Sequence, residues 1–172
     1  MITDRSKKGS IDADIKPLLE VINSKDGYTT TSSCSGRIVL LDIPKAGDKK
    51  NAEWIYTTHE KANGDEVSSI VKNSSKQLWF LQEPMILHAQ CRTIEHADRL
   101  LKIAQSCGFK RSGIFSLKRL SVEIHGAERI ETLLTPELPR EYVLRLVDEA
   151  NLKLQRTKQN MQKFQERLKL IP

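Results

Sequence analysis

An unbroken run of hydroxyl and thiol side chains, Thr29-Thr30-Thr31-Ser32-Ser33-Cys34-Ser35, ends in Gly36 and Arg37 and lies between two apolar stretches. The β-branched residues Thr29 to Thr31 favour an extended backbone, whereas Ser33-Cys34-Ser35-Gly36 carries turn chemistry, with Gly36 able to take positive φ. A strand entering a tight polar turn is expected. Successive backbone N–H groups in such a turn form a concavity for an anion, and Arg37 adds a planar fork of donors suited to a carboxylate or a phosphate. The competing expectation is a hydroxyl-rich turn that bonds only to itself.

Few other residues offer chemistry. His59 and His88 stand at or near the ends of expected strands, where side chains emerge at a sheet rim, and imidazole exchanges protons near neutral pH. Glu83-Pro84 forms a turn between two strands. Trp54 and Trp79 could stack on a nucleobase, a contact worth ~1–3 kcal/mol in single-strand binders. They could equally supply core volume, because only 5% of the chain is aromatic. The cysteines Cys34, Cys91 and Cys107 show no CxxC spacing, so neither a disulfide framework nor a zinc knuckle is indicated. Cys34, His59 and His88 are too dispersed to suggest a metal site, and no metal is expected. Cys34 and Arg37 are too close in sequence for a phosphatase loop to wrap a phosphate. Neither GxGxxG after a strand nor GxxxxGK[ST] occurs, which excludes a dinucleotide-type glycine loop and a P-loop.

The elements that must hold these residues follow from periodicity. At 172 residues one domain is expected. Ile11, Ile15, Leu18, Leu19 and Ile22 mark an amphipathic helix, with Pro17 acceptable only in its first turn. Ile38 to Ile43 is continuously apolar, as in a strand covered on both faces, and Pro44 stops it. A loop over 45–51 follows. Strands are expected over Glu53 to His59, Leu78 to Leu81 and Met85 to Cys91, with a short helix over Asp65 to Lys72. Ile94, Ala97, Leu100, Leu101 and Ala104 mark a further helix closed by Gly108, followed by strands at Gly113 to Leu117 and Leu120 to Ile124. The two passages read as β–α–β–β units sharing the strand that ends in Cys91, a pattern compatible with an old duplication. Glu128 to Leu134 adds a last strand. The fold class is α+β, a mixed sheet with helices packed on it.

Residues 140–172 form one long helix, in which Val143, Val147, Ala150, Leu154, Thr157, Met161, Phe164 and Leu168 keep a single stripe. Eight Lys or Arg against four Asp or Glu in this segment give +4 of the net +6. That surplus either steers RNA or is a solvated outer face. The whole-chain pI near 9.3 favours a polyanionic partner. No run approaches the ~18–20 apolar residues needed to cross a bilayer, and Met1-Ile2-Thr3-Asp4 opens no signal peptide, so no membrane association and a cytoplasmic location are expected.

Asp4-x-Ser6-x-Lys8-Gly9 leading to Ile11-Asp12, Thr30-x-Ser32-Ser33-Cys34-Ser35-Gly36-Arg37, Trp54 to His59, Glu83-Pro84-x-x-Leu87-His88 and Ser121-x-Glu123 together resemble the tRNA wybutosine-synthesizing protein 3 family. The similarity runs from about Asp4 to Leu134. It departs after Glu123, where Ile124-His125-Gly126 stands and a proline is expected nearby. The resemblance implies an S-adenosylmethionine-dependent methyltransferase without the Rossmann-type methyltransferase fold. Its substrate would be phenylalanine tRNA, methylated at N4 of the tricyclic guanosine-derived base at position 37 in the anticodon loop, after attachment of the aminocarboxypropyl chain.

Methyl transfer from a sulfonium to nitrogen is an in-line displacement that needs two reactants held at near-attack distance and one proton removed. The turn Ser32-Ser33-Cys34-Ser35-Gly36-Arg37, with Glu83, is expected to bind the cofactor, its anion being either the methionine carboxylate or a tRNA phosphate. His88 or His59 accepts the proton, Lys7 and Lys8 close over the phosphate backbone, and Trp54 and Trp79 meet the base. No covalent intermediate is needed, so Cys34 is not required as a nucleophile. Two other classes remain: a non-catalytic tRNA-binding module, and a small-molecule enzyme using an anion-binding turn.

Overall fold

Every ladder among the described residues is antiparallel, and the eight strands sort into two sheets of four. The computed structural model describes residues 11–43 and 52–170. Lys7, Lys8 and the loop expected over 45–51 lie outside them. The chain divides into two compact units, one made of the stretch up to Ser35, Pro84–Ala127 and the stretch from Arg156, the other of Gly36–Glu83 and Glu128–Gln155.

The first unit carries β1 (Tyr28–Cys34), β5 (Ile86–Cys91), β7 (Ser121–His125) and β6 (Gly113–Ser116), in that order across the sheet. Period-2 alternation sends Leu87, Ala89, Cys91, Val122 and Ile124 to one face, where helices cover them. These are α1 (Lys16–Asn23), with Pro17 in its first turn, and α3 (Ile94–Ser106), capped by the Thr93 hydroxyl. Leu18, Leu19 and Ile22 of α1 and Ala97, Leu100 and Ala104 of α3 fill the core.

The second unit carries β3 (Glu53–Thr58), β2 (Arg37–Asp42), β4 (Leu78–Glu83) and β8 (Ile130–Leu134). Ile38, Leu40, Leu78 and Phe80 face Val67 and Val71 of α2 (Gly64–Asn73). Asn63 caps α2, its Oδ1 accepting from the N–H of Asp65 and of Glu66.

The stripe expected on the C-terminal helix is buried along its length in α4 (Arg140–Lys169). Val143, Val147, Ala150 and Leu154 complete the second core; Met161, Phe164 and Leu168 complete the first, where Phe164 meets Phe109 edge-on at 5.9 Å. Each of the larger of these side chains contributes ~1.5–3 kcal/mol by leaving water. Four of the eight helix cations are engaged as follows: Arg140 with Asp65, Lys153 with Glu128 and Glu149, Lys158 with Asp14, and Arg167 with the Ser106 hydroxyl. Part of the surplus counted in the sequence is thus taken up by intramolecular pairs.

The α+β class, the long helix and the absence of a Rossmann topology agree with expectation. Instead of one mixed sheet there are two antiparallel ones. Because β4 and β5 belong to different sheets, the first expected β–α–β–β passage is split, whereas the second, β5–α3–β6–β7, has its strands within one sheet.

Candidate active site

The outer face of the second sheet carries an apolar strip bordered by charged residues. Val39, Leu41 and Leu81 alternate with the core residues of β2 and β4 and floor a cleft of about 450 Å³, with Ile43 and Ala52 at one end. This explains the unbroken apolar run of β2: one face is covered, and the other lines a cavity. Trp54 and Trp79 flank the cleft at the row of Leu41. Neither belongs to the core cluster, and Trp54 is 51% exposed, so the largest core volumes are Phe80, Phe109 and Phe164 instead. Arg37 and Glu83, cross-strand partners in the register of β2 and β4, close the opposite end. Arg37 Nε donates to Glu83 Oε2 at 2.6 Å, and its guanidinium carbon lies 4.7 Å from the Trp54 ring centre. The cleft thus presents two aromatic faces, an apolar floor and fixed charges of both signs, including the Arg129–Glu131 pair.

On the outer face of the first sheet, Ser32, His88 and Glu123 occupy one row across β1, β5 and β7. His88 Nε2 lies 2.8 Å from Glu123 Oε2, and Nδ1 lies 2.8 Å from Ser32 Oγ. An ionised carboxylate can only accept, so Nε2 carries the hydrogen. In the neutral ring, Nδ1 then accepts from the Ser32 hydroxyl. A lone pair able to take a proton is thereby aimed at an alcohol on the same face. Phe115 covers the ring at a centroid distance of 4.8 Å.

The Ser35–Gly36 turn has internal occupants. Ser35 is fully buried; its N–H donates to Asp12 Oδ2 at 2.9 Å, and its hydroxyl accepts from Lys158 Nζ at 3.0 Å. The turn amide does hold an anion, but that anion is the chain's own carboxylate. Thr30 is likewise engaged with Asn23, and Thr31 Oγ1 donates to the His88 carbonyl. Ser33 and Cys34 are half-buried residues of β1. Gly36 takes φ +95°, and its carbonyl lies 2.9 Å from His59 Nδ1. A carbonyl accepts only, so in His59 the hydrogen is on Nδ1, the opposite tautomer to His88.

Residues 1–170 match the family described as Methyltransferase TYW3. The chain belongs to that family. A Pyrococcus furiosus protein named tRNA(Phe) 7-((3-amino-3-carboxypropyl)-4-demethylwyosine(37)-N(4))-methyltransferase 1 is 45% identical over 166 residues, 92% of this chain and 85% of its own length. A Xenopus laevis protein named tRNA wybutosine-synthesizing protein 3 homolog is 34% identical over 171 residues, 94% of this chain and 68% of its own. The structure of PH1069 protein from Pyrococcus horikoshii has a TM-score of 0.86 at 41% identity, covering 94% of this chain and 87% of that one. The family resemblance read from the motifs is borne out, and this TYW3-family chain is a methyltransferase.

Within the TYW3-family fold, the expected site residues fall into two groups. Arg37, Glu83, Trp54 and Trp79 share the cleft of the second unit, whereas Ser32 and His88 share a row in the first. Reasoning from sequence missed four participants: Glu123, Phe115, Arg129 and Glu131. Glu123 stood in the Ser121-x-Glu123 motif without a role. Arg129 and Glu131 are spaced by two, which puts side chains on one face of a strand.

Proposed function

We propose that this chain transfers a methyl group from S-adenosylmethionine to N4 of the 7-aminocarboxypropyl-demethylwyosine base at position 37 in the anticodon loop of tRNA(Phe). The observation that carries this is the cleft of about 450 Å³ in which two tryptophans, Arg37 and Glu83 meet over an apolar floor. That volume lies within the range of small-molecule sites, ~300–1,000 Å³. Its donor set fits the cofactor: ring faces of Trp54 and Trp79 for adenine, the Glu83 carboxylate for ribose hydroxyls, and Arg37 for the methionine carboxylate. When bound, S-adenosylmethionine supplies a methyl group on a positively charged sulfur, open to in-line displacement.

The acceptor nitrogen must lose its hydrogen as the new N–C bond forms. The Ser32–His88–Glu123 row suits this task. Ser32 Oγ takes the proton while passing its own to His88 Nδ1, and Glu123 stabilises the resulting imidazolium through Nε2–H. His59 is the second candidate, since with Nδ1–H held by the Gly36 carbonyl its lone pair sits on Nε2.

Incubation of the protein with methyl-labelled S-adenosylmethionine and tRNA(Phe) bearing the aminocarboxypropyl intermediate, followed by nucleoside mass spectrometry, tests the assignment. Label at N4 of the tricyclic base is expected. Label at another atom, or none, would overturn it.

A further inference from the structure

The hairpin formed by β6 and β7 is an edge of the first sheet with an unusual surface. No acidic residue occurs between Asp98 and Glu123, while Lys110, Arg111, Lys118 and Arg119 flank β6. All four are exposed, and none makes an ion pair among the described residues, in contrast to the engaged cations of α4. Between them Phe115 is 57% exposed and Leu117 78%. A bare apolar edge strand is an aggregation hazard unless it has a partner. Phe115 is also the residue skipped in the β6–β7 register, between Ile114 and Ser116. Such a bulge re-aims its side chain, and here it lays the ring on His88 at 4.8 Å.

The surface continues past His88. Gln90 lies two residues further along β5 on the same face, roughly 7 Å away by strand rise. With Thr29, Lys25 and Arg119 it lines an open polar groove of about 590 Å³, in which Asp26 is paired with Arg92, leaving a net positive lining. A base-sized aromatic platform, a proton-accepting histidine and a cation-lined groove therefore follow one another on one side of one sheet. Charge complementarity selects a polyanion, and the platform selects one with unstacked bases.

We infer that this outer face, from Phe115 through Gln90 to Arg119, is the surface that holds a single-stranded RNA loop, with Phe115 stacking on a base beside His88 and Lys118 and Arg119 holding phosphates. The inference rests on the tRNA reading above and adds where the RNA lies.

Binding of a tRNA(Phe) transcript is measured by fluorescence anisotropy at several salt concentrations. Lys118→Ala with Arg119→Ala should weaken binding and lower the slope of log K against log salt by about 1–2. Phe115→Ala should weaken it roughly 5- to 100-fold with the slope unchanged, and Phe115→Trp should restore it. These side chains are exposed, and unchanged thermal melting of each variant confirms folding. Wild-type affinity and slope in the variants, with wild-type protein still methylating tRNA, would overturn the surface but leave the enzyme assignment intact. Failure of wild-type protein to methylate any tRNA would instead remove the reading on which it rests. Retention on anionic vesicles with no tRNA affinity would replace the RNA by a membrane and would also overturn the inference.

Discussion

The guanidinium of Arg37 sits 4.7 Å from the centre of the Trp54 ring while its Nε holds Glu83 at 2.6 Å. One planar cation is thus fixed by an aromatic face and a carboxylate at the end of an apolar cleft. Lysine keeps the charge but neither stacks as a plane nor presents a fork. Arg37→Lys should therefore lower affinity for S-adenosylmethionine roughly 5- to 50-fold by isothermal titration calorimetry. Unaltered affinity would detach Arg37 from the cofactor.

His88 is held on both ring nitrogens, by Ser32 and by Glu123. Loss of a positioned base costs ~10²–10⁴ in rate, so His88→Ala should lower single-turnover methylation by that factor with little change in tRNA affinity. Glu123→Gln, which keeps shape but removes the anion facing the imidazolium, should lower it by roughly tenfold. Full turnover in His88→Ala would transfer the role to His59.

Burial pushes the Cys91 thiol up to about 11. At pH 8 its thiolate is then scarcer than that of a free cysteine by roughly a hundredfold. Alkylation followed by peptide mass spectrometry should show Cys91 protected in native protein and labelled after denaturation. Rapid native labelling would contradict the packing of β5 against α3.

Gly108 ends α3 at φ +105°, and a Cβ there would meet the Asn160 side chain at 2.5 Å. Gly108→Ala should cost about 1–3 kcal/mol, a fall in Tm of roughly 2–10 °C. Gly113→Ala is the control, since a Cβ at Gly113 meets nothing within 4 Å, and it should melt close to wild type.

Local periodicity made much of the fold legible. The α4 stripe from Val143 to Leu168 repeats with helical period, and every one of its eight members is buried. Sheet membership was not legible, because β4 and β5 are separated by only two residues yet pair with different strands, and a strand pattern does not name its partner. The apolar run of β2 signalled two dry faces but could not distinguish a packed face from a cleft. The polar turn was expected to present its amides to a bound anion, and the structure shows the Ser35 amide donating to a carboxylate of the chain itself. That carboxylate, on Asp12, lies 23 positions away, and such a pairing exists only after folding. Glu123 escaped a role for the same reason, being 35 positions from His88.

The chain has two tryptophans, and both line the cleft assigned to the cofactor. Intrinsic tryptophan emission therefore reports on that cavity alone. Titration with S-adenosylmethionine should change the emission saturably, and Trp54→Phe and Trp79→Phe should each remove part of the change. Saturable cofactor binding by calorimetry with no change in tryptophan emission would place the methyl donor elsewhere and contradict the account.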